Sequence, residues 1–232
     1  MKIGILAAMQ KELALLLPLL EGRKEESVDG LALHTGRIGG HEVAMMQCGI
    51  GKVNSALNTY RLIHAFSPEL IINSGVAGGA DKSMKIGTVL VAEYAAYHDV
   101  WCGPGTETGA ADGMSVFLPA AEDVVATARR VLPEDGVRYG LICSGDRFIS
   151  TAAEVRAIKK SFPSALACDM ESASIAQVSL GCGVPFSIVR VVSDTPGEGE
   201  NIEQYKDFWT EAPRKTFEVV KRIIDALPVE PK

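Results

Sequence analysis

The chain has 232 residues with 47% hydrophobic and 22% charged residues, a length and composition that suit one large globular domain and exclude general disorder. Its formal net charge of −6, with no basic run, excludes a nucleic-acid-binding or anionic-membrane-binding surface as the expected role. No apolar stretch approaches the ~20 residues that a membrane span needs, so no membrane partner is expected.

The first residues, Met1-Lys2-Ile3-Gly4-Ile5-Leu6, enter an apolar run without the charged, apolar and small-residue order of a secretory signal. Cys48, Cys102, Cys143, Cys168 and Cys182 are odd in number and form no C-x-x-C pair, which argues against a disulfide framework or structural zinc. A reducing, cytoplasmic location is the expectation.

In chain order, Lys2–Ala7 reads as a strand and Met9–Leu20 as a helix that Pro18 ends or bends. Leu31–Ile38 and His41–Gln47 read as a hairpin across Gly39-Gly40. Gly51–Phe66 is expected to be helical, followed by the strands Leu70–Asn73 and Ile86–Tyr94 and by a Gly/Thr/Asp-rich loop from Trp101 to Gly113. Then come helix Ala120–Leu132, strand Arg138–Cys143, helix Ala152–Phe162, strand Ala165–Cys168, helix Glu171–Leu180, strand Pro185–Val192 and one long closing helix, Tyr205–Leu227. This alternation predicts a single α/β domain over residues 1–232, with a central mixed β-sheet flanked by helices.

Ligands of such sheets gather at the carboxyl ends of the strands. Four polar clusters stand just after predicted strands: Asn73-Ser74-Gly75, Ser144-Gly145-Asp146, Asp169-Met170-Glu171 and Ser193-Asp194. Together they predict a shared cleft. Each has a plainer reading by itself: Asp169 and Glu171 as acidic residues at a helix start, Asp194 as a turn residue before Pro196-Gly197, Glu12 as part of a solvated helix face beside Lys11. Gly75-Val76-Ala77-Gly78-Gly79 allows close backbone approach, but it lacks the Gly-Lys-Ser/Thr of a phosphate-binding P-loop. No G-x-S-x-G elbow occurs, and His34, His41, His64 and His98 show no metal-ligand spacing, so no metal site is expected. His98-Asp99 is read as a polar contact lining the loop that follows.

Six blocks in order carry a resemblance: Met1 to Glu12, Cys48-Gly49-Ile50-Gly51-Lys52-Val53-Asn54, Ile72 to Gly79, Ser144-Gly145-Asp146-Arg147-Phe148-Ile149, Asp169 to Ala176, and Val189 to Asp194. Together they resemble the 5′-methylthioadenosine/S-adenosylhomocysteine nucleosidases of the nucleoside phosphorylase superfamily. The resemblance implies hydrolysis of the N-glycosidic bond of 5′-thio-substituted adenine nucleosides, with Glu12 as the base that activates water and Asp194 as the acid towards the purine N7. It also implies that Met170 and Glu171 bind the ribose, that Ser193 and Arg190 support Asp194 and Glu171, and that Phe148 stacks on adenine beside the Ile149 backbone. Met9, Ile50 and Tyr205 would wall the 5′-thio group, with Val76 near the ribose. Cleavage through an oxocarbenium-like state needs an acid at the leaving group, a base for water and carboxylates near developing positive charge. No cofactor is implied. A homodimer is, with loop 101–117 completing the partner's site.

Related enzymes use phosphate in place of water, with an arginine in the first-helix region and another just before the glycine-rich turn. Here Ala8-Met9-Gln10-Lys11-Glu12 and Asn73 occupy those regions, which favours hydrolysis. A phosphorylase, a hydrolase of futalosine or adenosine, and a non-catalytic nucleoside-binding protein stay as alternatives. Three departures bear on the 5′-group: Val76 where several nucleosidases carry a hydroxyl residue, the segment Trp101 to Gly109 in place of the usual aromatic loop, and the loop Thr195-Pro196-Gly197-Glu198-Gly199-Glu200, one residue longer than the pattern.

Overall fold

The computed structural model describes residues 1–110, 113–197, 201–211 and 213–229. Its strands are β1 (Lys2–Ala7), β2 (Glu21–Val28), β3 (Leu31–Ile38), β4 (His41–Gln47), β5 (Leu70–Gly79), β6 (Val89–Tyr97), β7 (Leu118–Pro119), β8 (Val137–Ser144), β9 (Ala165–Asp169) and β10 (Phe186–Asp194). Its helices are α1 (Gln10–Leu16), α2 (Lys52–Phe66), α3 (Glu122–Val131), α4 (Ala152–Ser161), α5 (Ser172–Gly181), α6 (Asn201–Glu211) and α7 (Pro213–Ala226). The result is a mixed α/β, single-domain fold.

Among the described residues the strands form one sheet in the order β10-β6-β8-β9-β5-β1-β4-β3-β2, with β7 beside β6. β10 also pairs with β5, so β5, β10, β6, β8 and β9 close on themselves as a small barrel and the remaining strands extend from it. β5 is the pivot. It pairs in parallel with β1 only as far as Asn73, runs beside β10 to Gly78, and meets β9 antiparallel at Gly78 and Gly79. Where β5 leaves β1, backbone groups lose a ladder partner and become available to side chains.

The predicted hairpin forms as expected, β3 against β4, with Gly39 at φ 54° in the turn. Other expectations need correction. The first helix ends at Leu16, and Leu17–Leu19 tightens into a 3₁₀ turn at Pro18. β2 was not expected, because Glu-Gly-Arg-Lys-Glu-Glu-Ser-Val has no apolar face; it is an exposed edge strand whose charges discourage further pairing. β5 and β6 run on to Gly79 and Tyr97, beyond the predicted ends. The closing helical segment starts earlier than expected, at Asn201, and is described over Asn201–Glu211 and Pro213–Ala226; residue 212 between them lies outside the described residues. No helix among the described residues is long and apolar enough to cross a membrane.

Candidate active site

The carboxyl ends of β1, β4, β5, β8, β9 and β10 converge on a cleft of about 690 Å³, counting its open mouth. Of the sequence-predicted residues, Met9, Glu12, Ile50, Val76, Phe148, Ile149, Met170, Glu171, Ser193, Asp194 and Tyr205 line it. Arg190 does not; it lies beneath the floor. Ala8, Ala77, Gly78, Arg147, Cys168 and Asp169 complete the lining.

Glu12 is not on a solvated helix face: it is 1% exposed. As the third residue of α1, its Oε2 accepts the N–H of Met9, the residue before the helix, at 2.9 Å. Its Oε1 accepts the N–H of Val76 at 3.0 Å, in the part of β5 that has left β1. Two backbone donors therefore aim this carboxylate at one place. Burial pushes its pKa up, partly offset by the charge of Arg190 and by hydrogen bonds from the backbone of Val76, Met9 and Ala8. Gly75 makes the arrangement possible in a way its sequence motif did not indicate. A methyl group there would overlap Arg190 Nη1 and Glu12 Oε1, so the glycine makes room for side chains rather than for a phosphate.

Asp169 and Glu171 divide the start of α5 between them. The N–H of Ser172 donates to the Asp169 carboxylate at 3.2 Å, and that of Ala173 to Ser144 Oγ at 2.9 Å. Glu171, the residue before the helix, makes no side-chain cap. Its Oε1 instead accepts the N–H of Gly51 at 3.0 Å, across from the turn that precedes α2. Asp169 is thus the cap, and Glu171 is left to face the cleft.

Arg190, 1% exposed, was expected to support Glu171. Its nearer carboxylate is Asp169: Nη2 lies 2.7 Å from Asp169 Oδ2 and 3.4 Å from Glu171 Oε2. Nη2 also donates to Asn73 Oδ1 at 2.8 Å, and Nε to Ser172 Oγ at 3.3 Å. Ser172 Oγ donates in turn to Asp169, and Ser144 Oγ donates to Asp169 Oδ1 at 2.5 Å. Burial disfavours the guanidinium charge, but Asp169, Glu171 and Glu12 outweigh it and hold Arg190 above its usual pKa. Because Asp169 takes the closer share of that charge, burial dominates at Glu171 and raises its pKa to about 7, against the pull of Arg190 and with the repulsion of Asp169.

Asp194, at the end of β10, is 2% exposed and accepts a hydrogen bond from Ser193 Oγ at 2.7 Å on Oδ1. Ser193 Oγ also lies 3.4 Å from the carbonyl of Ala77. Phe148 and Tyr205 meet edge to face across the mouth, with centroids 5.9 Å apart, and Tyr205 Oη reaches Met9 Sδ at 3.4 Å. The predicted His98-Asp99 contact is organised differently. Asp99 accepts from Lys52 Nζ at 2.8 Å and from the Asp146 N–H at 2.9 Å, which ties the Phe148-bearing loop to the start of α2. Residues 111–112 of loop 101–117 and residues 198–200 of the departing loop after Asp194 lie outside the described residues.

Residues 2–225 match the model of the phosphorylase superfamily. The chain is 37% identical to the 5′-methylthioadenosine/S-adenosylhomocysteine nucleosidase of Actinobacillus succinogenes over 226 residues, 95% of this chain and 96% of that protein. It belongs to this nucleosidase family. Solved structures of the family superpose closely. S-adenosylhomocysteine nucleosidase from Streptococcus pyogenes, in complex with 5-methylthiotubericidin, gives a TM-score of 0.93 at 37% identity and covers 98% of each chain. The nucleosidase from S. pneumoniae, with the transition-state inhibitor MT-ImmA, gives 0.94 at 35% identity, covering 98% of this chain and 100% of that one. Family membership was legible from six ordered blocks; the part that sequence reasoning missed is the buried layer of Asn73, Ser144, Asp169 and Ser172 beneath Glu171. Its signal was present, because each of these residues stands in or directly beside one of the polar clusters that follow the strands.

Proposed function

We propose that this protein hydrolyses the N-glycosidic bond of adenine nucleosides with a 5′-thio substituent, 5′-methylthioadenosine and S-adenosylhomocysteine, releasing adenine and the thioribose. The observation that carries this reading is the placement of Glu12, a buried carboxylate gripped by two backbone amides and bordering the same cleft as Asp194 and Glu171. In the mechanism, Glu12 takes a proton from water, and its raised pKa makes it the stronger base for that step. Asp194, fixed by Ser193, delivers a proton towards N7, so that adenine leaves as a neutral base. Glu171 accepts hydrogen bonds from the ribose hydroxyls, and Met170 packs beside the sugar. Glu12 and Glu171 together place negative charge beside the oxocarbenium-like sugar. Phe148 stacks on the adenine, the Ile149 backbone meets its edge, and Met9, Ile50, Val76 and Tyr205 supply the apolar wall for the ribose and the 5′-thio group. Arg190 acts from below, by positioning Asp169 and Glu171.

Phosphorolysis would need a cation facing the nucleophile's position. Arg190 is committed to two carboxylates, and Arg147, which lines the cleft, is paired with Glu154 at 2.8 Å with its side chain 74% exposed. A phosphate dianion in this cleft would instead meet Glu12. The deciding assay is adenine release from methylthioadenosine with and without phosphate. Release that depends on phosphate overturns the hydrolase reading.

A homodimer fits the surface beside the cleft. Val53, Leu57 and Tyr60 form an exposed stripe on α2 that follows the cleft residue Ile50, and exposed Trp101 stands two residues after Asp99, which pairs with Lys52 at the start of α2. In this arrangement loop 101–117 covers the partner's Ile50 edge, and light scattering at micromolar concentration tests it. Buried free thiols at Cys48, Cys143 and Cys168 suit a reducing, cytoplasmic setting.

A further inference from the structure

Lys11 stands on α1 behind the cleft-lining ring of Tyr205, next to Glu12 in sequence but turned to a different task. Glu12 reaches inward to the amides of Met9 and Val76. The Lys11 ammonium lies outside, 4.5 Å from the ring centroid of Tyr205 and 3.9 Å from that of Trp209. These rings stand edge to face, 6.1 Å apart, and Tyr205 in turn meets Phe148. The lysine is therefore held on an aromatic platform shared between α1 and α6, and one ring of that platform, Tyr205, is a wall of the cleft. A cation resting on ring faces keeps its outward hemisphere for an anion. Partial burial also lowers the pKa of Lys11, partly countered by the Glu12 charge, as expected for an ammonium set against apolar surface.

We propose that Lys11, on the faces of Tyr205 and Trp209, forms an anion subsite at the open end of the cleft that binds the carboxylate of a long 5′-substituent. The inference rests on the nucleosidase reading above and deepens it. In that reading the thioether sulfur sits against Met9 and Tyr205, whose Sδ and Oη are 3.4 Å apart. From such a sulfur an extended homocysteinyl chain runs through four bonds to its carboxylate carbon, about 5 Å. Lys11 Nζ lies over the ring that forms the same wall, 4.5 Å from the Tyr205 centroid. A methylthio group has no carboxylate and ends short of the lysine. The subsite therefore separates the two substrates: S-adenosylhomocysteine gains a charge-assisted contact that methylthioadenosine cannot make. Tyr205 serves both, as wall for the sulfur and as platform for the cation.

The test compares kcat/KM for the two substrates in the unmodified protein and in Lys11→Met, Lys11→Arg and Lys11→Glu. Lys11→Met is expected to lower kcat/KM for S-adenosylhomocysteine by about three- to fivefold, the range of a solvent-exposed ion pair, through KM. Methylthioadenosine should stay within twofold. Lys11→Arg, which keeps the charge and the ring contact, should restore the ratio, and Lys11→Glu should depress it further. Added salt should erode the S-adenosylhomocysteine advantage in the unmodified protein and leave the ratio in Lys11→Met unchanged. If both substrates weaken together in Lys11→Met, the lysine merely latches α6 onto α1 and the subsite is overturned; an unchanged ratio overturns it equally. Absence of adenine release from methylthioadenosine by the unmodified protein is a different failure, one that removes the hydrolase reading and the subsite with it.

Discussion

Beneath the cleft, Asn73, Ser144, Asp169, Ser172 and Arg190 are all buried and joined into one network of hydrogen bonds around a 2.7 Å ion pair. At the rim, Lys11, Phe148 and Tyr205 come from separate segments and meet at the Tyr205 ring, the Lys11 ammonium 4.5 Å from its centroid and the Phe148 centroid 5.9 Å from it. The difference is one of how many groups depend on each other. In the floor a single change leaves a charge or a hydroxyl buried without its partner, which costs far more than the lost contact. At the rim a change alters what the cleft admits and leaves the rest standing. In the proposed reaction the floor positions the groups that act on the sugar, and the rim faces the 5′-group and the base.

The sharpest break between chemistry and scaffold lies at Asp194, on the wall between the two regions. Asp194→Asn removes the proposed acid but keeps the shape and the acceptor for Ser193, so kcat should fall by about a thousandfold or more while the melting temperature barely moves. Glu12→Gln should behave alike in turnover and still bind substrate. Steady-state kinetics beside a thermal melt reads both, and near-normal rates in either variant would overturn that residue's role.

Arg190→Met tests the interdependence of the floor itself. The variant leaves the carboxylates of Asp169 and Glu171 buried without their cation, and a loss of about 3–5 kcal/mol is expected in urea unfolding. A loss below about 1 kcal/mol would mean that the floor's groups are independent of one another.

Glu171 belongs to the floor by burial and to the cleft by function, and pH separates the two. Its carboxyl titrates at about 7 in the folded chain against 4.5 when unperturbed. Between those values the folded chain holds a proton that the unfolded chain has lost, so stability falls as pH rises from about 4.5 to about 7 and levels off above. Glu171→Gln should flatten this slope by an amount on the order of 3 kcal/mol across the window. Denaturation at pH 5 and pH 8 measures it, and an unchanged slope would place the titration elsewhere. In turnover the sign is reversed. In the proposed reaction the charged form accepts hydrogen bonds from the ribose hydroxyls, so KM should rise as pH falls through about 7.

Much of this was legible in the sequence because strand ends announce themselves: an apolar run followed by Asn-Ser-Gly, Ser-Gly-Asp or Ser-Asp marks where a polar side chain emerges from the sheet. What was hidden has a common cause, which is that partners far apart in the chain decide a residue's job. Asp169 and Glu171 look equivalent two positions apart, and only the arrival of Arg190, 19 residues beyond Glu171, assigns one to the floor and the other to the cleft. Gly75 read as a loop for backbone approach until Glu12 and Arg190 were found packed against it. β2 escaped notice for the opposite reason, since an exposed edge strand has no buried face to leave a periodic trace.

The smallest expected effect on stability is at the rim. Phe148 is 45% exposed, lies on the loop after β8, and meets Tyr205 edge to face. Phe148→Ala removes a stacking face for adenine worth about 1–3 kcal/mol, so KM should rise about tenfold. Because Phe148 contributes little to the core, stability should stay within about 0.5 kcal/mol. The loop itself remains anchored without the ring, since Asp146 beside it receives Lys52 N–H at 2.7 Å and donates its own N–H to Asp99 at 2.9 Å. The Ile149 backbone and Asp194 therefore keep their places, and kcat should change by less than about threefold. A large fall in kcat with KM unchanged would show that the ring acts in the transition state, and would move Phe148 from the rim into the part of the molecule that carries the reaction.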